Sequence, residues 1–310
     1  MSDLTLAAIV VTFNRKAQLD TTVARLLAES VDHVVIVDNN STDGTRDWLK
    51  SLEDPRVTVI YNEENLGGAG GFEIGLREAV ARFDPDWCVV MDDDARPQPG
   101  AFDAFRSADL TRWDAVVAAV YHPDGRICEM NRPALNPFWH KDIFREALTK
   151  GRAGFHIPDA RYDEPPSPLD EGSFVGLFLS RKAIEIAGYP DRELFIYGDD
   201  VLYTLTLTER GGRIGFVPQV RFEHAYSTQS EGSIAMRPLW KNYYHYRNLL
   251  FVYRKAAGPW FYPALLAILP KWYLKFPHYG ADKGAFLKVL TKAVRHGLTG
   301  KRGRLPEHGG

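Results

Sequence analysis

Four apolar runs rich in β-branched residues, at 6–13, 34–37, 57–61 and 87–91, alternate with helical patterns, and each closes on a polar loop. Short apolar runs of this kind read as buried strands. The helical patterns between them place Leu19, Val23, Leu26 and Leu27 on one face, and Phe72, Ile74, Leu76, Ala79 and Val80 on another. Strands and helices alternating at this spacing form βαβ units, so we expect an α/β domain with a mostly parallel sheet and its polar loops along one edge.

The fourth run, Trp87-Cys88-Val89-Val90-Met91, ends in Asp92-Asp93-Asp94, and Pro97 stops it. The carboxyl ends of parallel strands form the ligand crevice of such a sheet, where carboxylates can hold a hard divalent cation against a diphosphate. Alternation along an extended chain would put Asp92 and Asp94 on one face and turn Asp93 away. A solvated acidic turn is the plain alternative.

Other loops add candidates. Gly67, Gly68, Gly70 and Gly71 follow Asn65 in a stretch that permits close backbone approach to a phosphate, or is simply a flexible turn. Asp38, at a strand end, could accept from a base or ribose, or cap the following helix. Gly198-Asp199-Asp200 precedes a helical run, so that pair offers either a general base or a helix cap. His224, beyond the end of the run 214–218, is a third metal ligand or a surface histidine. Residues 121–170, broken by seven prolines, read as irregular, and Phe138-Trp139-His140 within them could stack on a sugar or anchor the loop. Residues 172–179 read as a further strand.

With 310 residues, 45% of them hydrophobic, the chain can bury one large core or two smaller ones. Two cysteines, Cys88 and Cys128, support neither a disulfide framework nor a cysteine metal site, which fits a reducing cytoplasm. The first residues show no export signal. The net charge of −2 hides an asymmetry: residues 241–310 carry 13 Lys and Arg against two acids, and the rest is acidic. A basic tail fits an anionic membrane surface or nucleic acid.

Taken together, these residues resemble an inverting, nucleotide-sugar-dependent family 2 glycosyltransferase of the GT-A fold, over roughly 5–255. The likeness rests on Val10-Val11-Thr12-Phe13-Asn14-Arg15, Asp38-Asn39 with Ser41-Thr42-Asp43-Gly44, Met91 to Asp94, and Gly198-Asp199-Asp200, in that order. The 65–72 stretch, His224 and Tyr243-Tyr244-His245-Tyr246-Arg247-Asn248 are most similar to galactofuranosyltransferases, with rhamnosyltransferases as close relatives. The resemblance implies that Thr12, Asn14 and Arg15 line the nucleotide pocket, that Asp38 contacts uracil or ribose, and that the stretch from Asn65 to Gly71 lies along the nucleotide sugar. Asp92, Asp94 and His224 would bind Mn²⁺ or Mg²⁺, Asp93 would face the ribose or donor sugar, and Asp200, oriented by Asp199, would be the base. Many members of the family it resembles carry a further acid where this chain has Leu202.

This expectation divides the chain into a catalytic domain, 1–236, with a nucleotide-sugar half to about 120 and an acceptor half beyond it, and a helical, basic extension, 237–310. Its donor would be UDP-galactofuranose, or a dTDP-rhamnose in the alternative, and its acceptor a glycan or glycolipid; a catalytically silent nucleotide-sugar-binding protein is the non-enzymatic alternative. The apolar run 260–273 is too short to span a bilayer, yet with the amphipathic run 286–295 it resembles helices that lie on anionic membranes. Peripheral attachment to the cytoplasmic membrane's inner face is expected, and no nucleic-acid partner.

Overall fold

The computed structural model describes residues 4–225 and 235–305, so Met1, Ser2, Asp3 and the tail 306–310, on which the reading of the two ends partly rested, lie outside the described residues. The alternation seen in the sequence becomes β1 (Leu6–Thr12), α1 (Lys16–Leu27), β2 (His33–Asp38), α2 (Thr45–Lys50), β3 (Val57–Tyr61), α3 (Gly67–Phe83) and β4 (Trp87–Asp92). All three ladders among these strands are parallel, in the order β3-β2-β1-β4. Register brings Thr12 opposite Asp38, and Val11 opposite Asp92, at one sheet edge.

After a turn at Asp93 and Asp94 come β5 (Ala95–Pro97), α4 (Ala101–Ser107), β6 (Ala115–Tyr121), α5 (Lys141–Lys150), β7 (Ser167–Leu169), β8 (Leu177–Ser180), α6 (Arg181–Ala187), α7 (Asp199–Glu209) and β9 (Ile214–His224). They extend the sheet in the order β4-β8-β6-β9-β5, with β7 on β9, giving nine strands among the described residues. This half is mixed: β6 runs parallel to β9, while the β4–β8, β6–β8, β5–β9 and β7–β9 ladders are antiparallel.

Alternating side chains give the sheet two apolar faces. Leu6, Ala8 and Val10 meet α1 and α4 on one; Ala7, Ile9 and Val11 meet α3 on the other, where α6 and α7 cover the neighbouring strands. Helices on both faces of a sheet make the α/β architecture expected.

Four local readings are corrected. The glycine stretch is not an open loop: Gly67 begins α3, and a Cβ on Gly71 or Gly75 would lie 2.4 Å from Val11 or 2.5 Å from Ile9, so these glycines let the helix lie directly on β1. The strand expected at 172–179 is confined to Leu177–Ser180, because Gly176 takes φ +68°. The strand read at 214–218 continues to His224, which ends it rather than lying beyond it, with a register shift between Ala118 and Ala119 of its partner where β9 passes Pro218. The irregular 121–170 stretch contains α5, a helix with no buried residue and so little hydrophobic signature of burial.

The basic C-terminal segment forms α8 (Trp240–Ala257), α9 (Phe261–Tyr273) and α10 (Lys283–Thr299). Tyr243, Tyr244, Tyr246, Phe261, Trp272, Phe286 and Leu290 bury one aromatic core, which also takes in Phe195 from the segment before α7. Among the described residues, no helix is long and apolar enough to cross a membrane.

Candidate active site

Asp92, Asp94 and His224 converge. One ligand atom from each lies within 4.8 Å of the others, the metal-capable group found among the described residues. β4 supplies Asp92, the following turn supplies Asp94, and the end of β9 supplies His224, which is opposite Ala95 in the β5–β9 ladder. The grouping of Asp92 with Asp94 therefore comes from a turn, not from strand alternation. The turn sends Asp93 the other way, where it accepts from Thr12 Oγ1 at 2.8 Å, while Thr22 Oγ1 holds its carbonyl at 2.8 Å.

The electrostatics follow from this crowding. Burial, and next the charge of Asp94, push Asp92 up to about 7. Burial pushes Asp93 up to about 6 against the pull of Arg15 and Thr12. Burial would raise Asp94 as well, but His224 and Arg15 beside it outweigh that and hold it below the ordinary carboxylate value. Arg15, half-exposed, pairs with Asp94 and reaches Asp93 at 3.5 Å.

His224 is oriented by a residue that sequence reasoning missed. Its Nδ1 lies 2.7 Å from Asn131 Oδ1, while Asn131 Nδ2 donates to Ser173 Oγ at 2.9 Å and the Cys128 thiol donates to the same Oδ1 at 2.9 Å. That network assigns the oxygen to the histidine side, so Nδ1 is the donor. Nε2 then faces Asp94 Oδ1, 3.1 Å away, where a proton or a cation would join the two. A set of two carboxylates and one imidazole suits Mn²⁺ or Mg²⁺, so the residues fit a divalent ion. Asn131 sits in the irregular stretch, where no periodicity marks it.

At the neighbouring strand ends, Asn14 takes φ 54°, and its Oδ1 accepts from Thr42 N at 2.7 Å. Asp38 is fully buried, accepts from Ser41 N at 3.2 Å and pairs with Arg46 Nε at 2.6 Å. It thus holds the loop after β2 rather than capping α2, whose N-cap is Gly44, and Arg46, partly exposed and also unmarked in the sequence reading, stands at this edge with it. Asn39 Nδ2 donates to Gly67 O at 3.0 Å, and Asn65 Oδ1 accepts from Gly67 N at 2.8 Å, tying the start of α3 to the same edge. Gly68 and Gly70 lie in the first turns of α3, where a Cβ on Gly70 would sit 2.6 Å from Leu66 Cβ.

Asp199 and Asp200 open α7, and Asp200 Oδ1 accepts from Val201 N at 2.8 Å. Burial, then the charge of Asp200, push Asp199 up to about 8; burial also raises Asp200. Ala69 N donates to Phe195 O at 3.1 Å and Asn39 Nδ2 to Gly67 O at 3.0 Å, so the segment that leads into this pair meets the start of α3 at the same edge of the sheet. Leu202 packs with Ala69, Leu194 and Phe251. His140 bonds Asp170 Oδ2 at 2.7 Å and Phe138 packs against the α8 core, so these two are loop anchors, while Trp139 is exposed.

Residues 7–159 match the family model for glycosyl transferase family 2. The chain is 25% identical over 315 residues to galactofuranosyltransferase GlfT1 of Mycolicibacterium smegmatis, covering 96% of each. It is 24% identical over 265 residues to the dTDP-rhamnosyl transferase RfbF of Shigella flexneri, covering 81% of each. Among solved structures it shares its fold with GalNAc-T7 in complex with UDP, GalNAc and Mn²⁺, at a TM-score of 0.58 and 16% identity. That match covers 81% of this chain and 48% of the other, so the chain spans about half the length of that protein. The α/β sheet with its carboxylates at one edge is a GT-A fold, and its residues 7–159 carry the match to glycosyl transferase family 2.

Proposed function

We propose that the chain transfers galactofuranose from UDP-galactofuranose to a glycan or glycolipid acceptor by a single, inverting displacement. The observation that carries this reading is the convergence of Asp92, Asp94 and His224 at the same edge of the sheet as the segment that leads into the Asp199–Asp200 pair. Asp92, Asp94 and His224 would hold Mn²⁺ or Mg²⁺, which supplies Lewis-acid stabilisation of the leaving diphosphate. Thr12, Asn14, Arg15 and Asp38 would line the nucleotide pocket, Asp93 would face the ribose or donor sugar, and the segment from Asn65 through Gly67, Gly68, Gly70 and Gly71 would flank the donor.

Asp200 would take the proton of the acceptor hydroxyl as its oxygen bonds to the anomeric carbon and the bond from that carbon to the diphosphate breaks. A positioned base of this kind contributes about 10²–10⁴-fold. Asp199 would orient it. The galactofuranosyltransferase relative, matched along nearly the whole chain, supports the donor, while RfbF supports dTDP-rhamnose as a second reading.

Residues 237–310 would form the extension through which the enzyme meets an anionic membrane. Support comes from α9, whose outer face presents Tyr262, Leu266 and, just beyond the helix, Leu274 to solvent, the two leucines 80% and 70% exposed, amid the basic excess of this segment.

Calorimetry with UDP-galactofuranose, UDP-galactopyranose, UDP-glucose and dTDP-rhamnose, each with and without Mn²⁺, tests the reading. Metal-dependent binding of UDP-galactofuranose is expected; no metal-dependent binding of any donor would overturn it.

A further inference from the structure

The segment leading into the candidate base, 193–198, follows a backbone path that needs outside support. Phe195 stands at φ 69° and Tyr197 at φ 67°, in the left-handed region that bulky side chains avoid, and Gly198 follows at φ 75°. Few hydrogen bonds within the segment fix this path; two consecutive residues of α8 do. Asn248 Nδ2 lies 3.0, 2.8 and 2.8 Å from the carbonyls of Leu194, Ile196 and Tyr197, so its two protons are shared among three acceptors. Arg247 donates through Nη2 to the carbonyls of Glu193 and Leu194 at 3.2 and 3.0 Å, through Nη1 to Gly303 O at 2.5 Å, and through Nε to Asn248 Oδ1 at 2.8 Å.

Both side chains are buried, and Arg247 also lies beneath the rings of Tyr243 and Tyr244. Burying a guanidinium costs free energy unless its donors are met, and here Nη2 is spent on the backbone of this segment while Nη1 and Nε are met by Gly303 and Asn248. The segment's other side touches the start of α3, where Ala69 N donates to Phe195 O at 3.1 Å. It therefore lies between the glycine stretch and α8, with Asp199 and Asp200 directly after Gly198.

We infer that Arg247 and Asn248 are positioning residues for the transfer reaction: they lock 193–198 so that Asp200 meets the acceptor hydroxyl in a fixed relation to the donor edge. This rests on the reading of Asp200 as the base. The basic C-terminal helices would then be part of the catalytic apparatus, whatever surface they meet.

The test compares Asn248→Ala, Arg247→Lys and Asp200→Asn in the full chain. Turnover of UDP-galactofuranose is read as UDP release with a galactan oligosaccharide acceptor, and binding of UDP with Mn²⁺ is read by calorimetry, whose stoichiometry counts the folded sites. Misplacing a catalytic group by about 1 Å can cost about 10²-fold, so kcat per binding site should fall by that order in Asn248→Ala. UDP affinity should change by less than about threefold, and Arg247→Lys should lose less kcat in the same sense, since Lys keeps one donor where Arg has a fork.

Wild-type kcat per site in Asn248→Ala, or loss of UDP affinity in step with kcat, would overturn the proposal. If Asn248→Ala shows no folded sites, the same criteria applied to Arg247→Lys decide. Wild-type turnover in Asp200→Asn removes the base reading itself; an inactive Asp200→Asn beside fully active clamp variants removes only the clamp.

Discussion

His224 Nδ1 rests 2.7 Å from Asn131 Oδ1, and that single contact fixes which ring nitrogen faces Asp92 and Asp94. Partners that orient a ligating histidine typically influence metal affinity or activity by about 10–100-fold. Asn131→Ala should weaken Mn²⁺ binding, followed by electron paramagnetic resonance, by that factor, whereas Asn131→Asp, which keeps an acceptor, should lose less. Equal affinity in wild type and Asn131→Ala would remove Asn131 from the site.

The Asp199–Asp200 pair predicts a pH dependence. Two neighbouring buried carboxylates do not ionise together, and the Val201 N–H favours Asp200 as the first to lose its proton. Transfer should fall as pH drops, along a limb set above the ordinary carboxylate range. Asp199→Asn mimics the protonated neighbour and should keep turnover within about tenfold, while Asp200→Asn should lose about 10²–10⁴-fold. For folding, the sign is opposite to that of a salt-bridged acid. Asp199's raised value, about 8, means its stability contribution is full below the unfolded value of 3.8 and is lost as pH rises toward 8. Melting temperatures from pH 5 to 8 should therefore decline less in Asp199→Asn than in wild type.

How far the sequence disclosed this arrangement depends on the range of the forces involved. The parallel half of the sheet was legible because β1 to β4 are buried runs whose period and closing loops are local properties. Asp92, Asp94 and His224 were legible as candidates by residue type and by position at strand ends. Asn131, Arg46 and the contacts of Asn248 were not, because each acts through partners that only the fold brings near: Asn131 and His224 are 93 residues apart, and Asn248 and Leu194 are 54 apart. The glycine stretch misled for a related reason. Four glycines look like a loop, but Gly71 and Gly67 use their lack of a side chain for close packing of α3 on β1 and on Phe195 respectively.

That packing gives a sharp substitution. Gly67 takes φ +69°, and a Cβ there would fall 2.1 Å from the Phe195 carbonyl oxygen. Backbone, not a flexible side chain, is in the way, and the left-handed conformation adds strain. Gly67→Ala should destabilise the fold by about 1–3 kcal/mol in denaturant titration and displace the segment carrying Asp200. Turnover should fall further than the folded fraction does. Turnover that simply tracks the folded fraction would show that the α3 contact does not influence the base.

The last prediction concerns α9, which is apolar on two sides. Phe261, Leu265 and Trp272 enter the C-terminal core, while Tyr262 and Leu266, with Leu274 one residue beyond the helix, follow the opposite face at four- and eight-residue steps. A soluble surface gains nothing from such a stripe, whereas fully burying one leucine is worth about 1.5–3 kcal/mol. Lys271, exposed on the same helix, would meet anionic headgroups, whereas Lys275 lies over the Tyr246 ring of the core. The double variant Leu266→Asp, Leu274→Asp leaves the inward face intact, so it should fold and bind UDP with Mn²⁺ as wild type does. Its co-sedimentation with vesicles of anionic phospholipid should drop by at least about tenfold, the effect of losing roughly 1.4 kcal/mol of partition free energy. Point variants are the right instrument, since removing α9 and α10 would also uncover the aromatic core against which Phe195 packs. Sedimentation equal to wild type would leave the stripe without a membrane role and return attention to a protein partner for the same face.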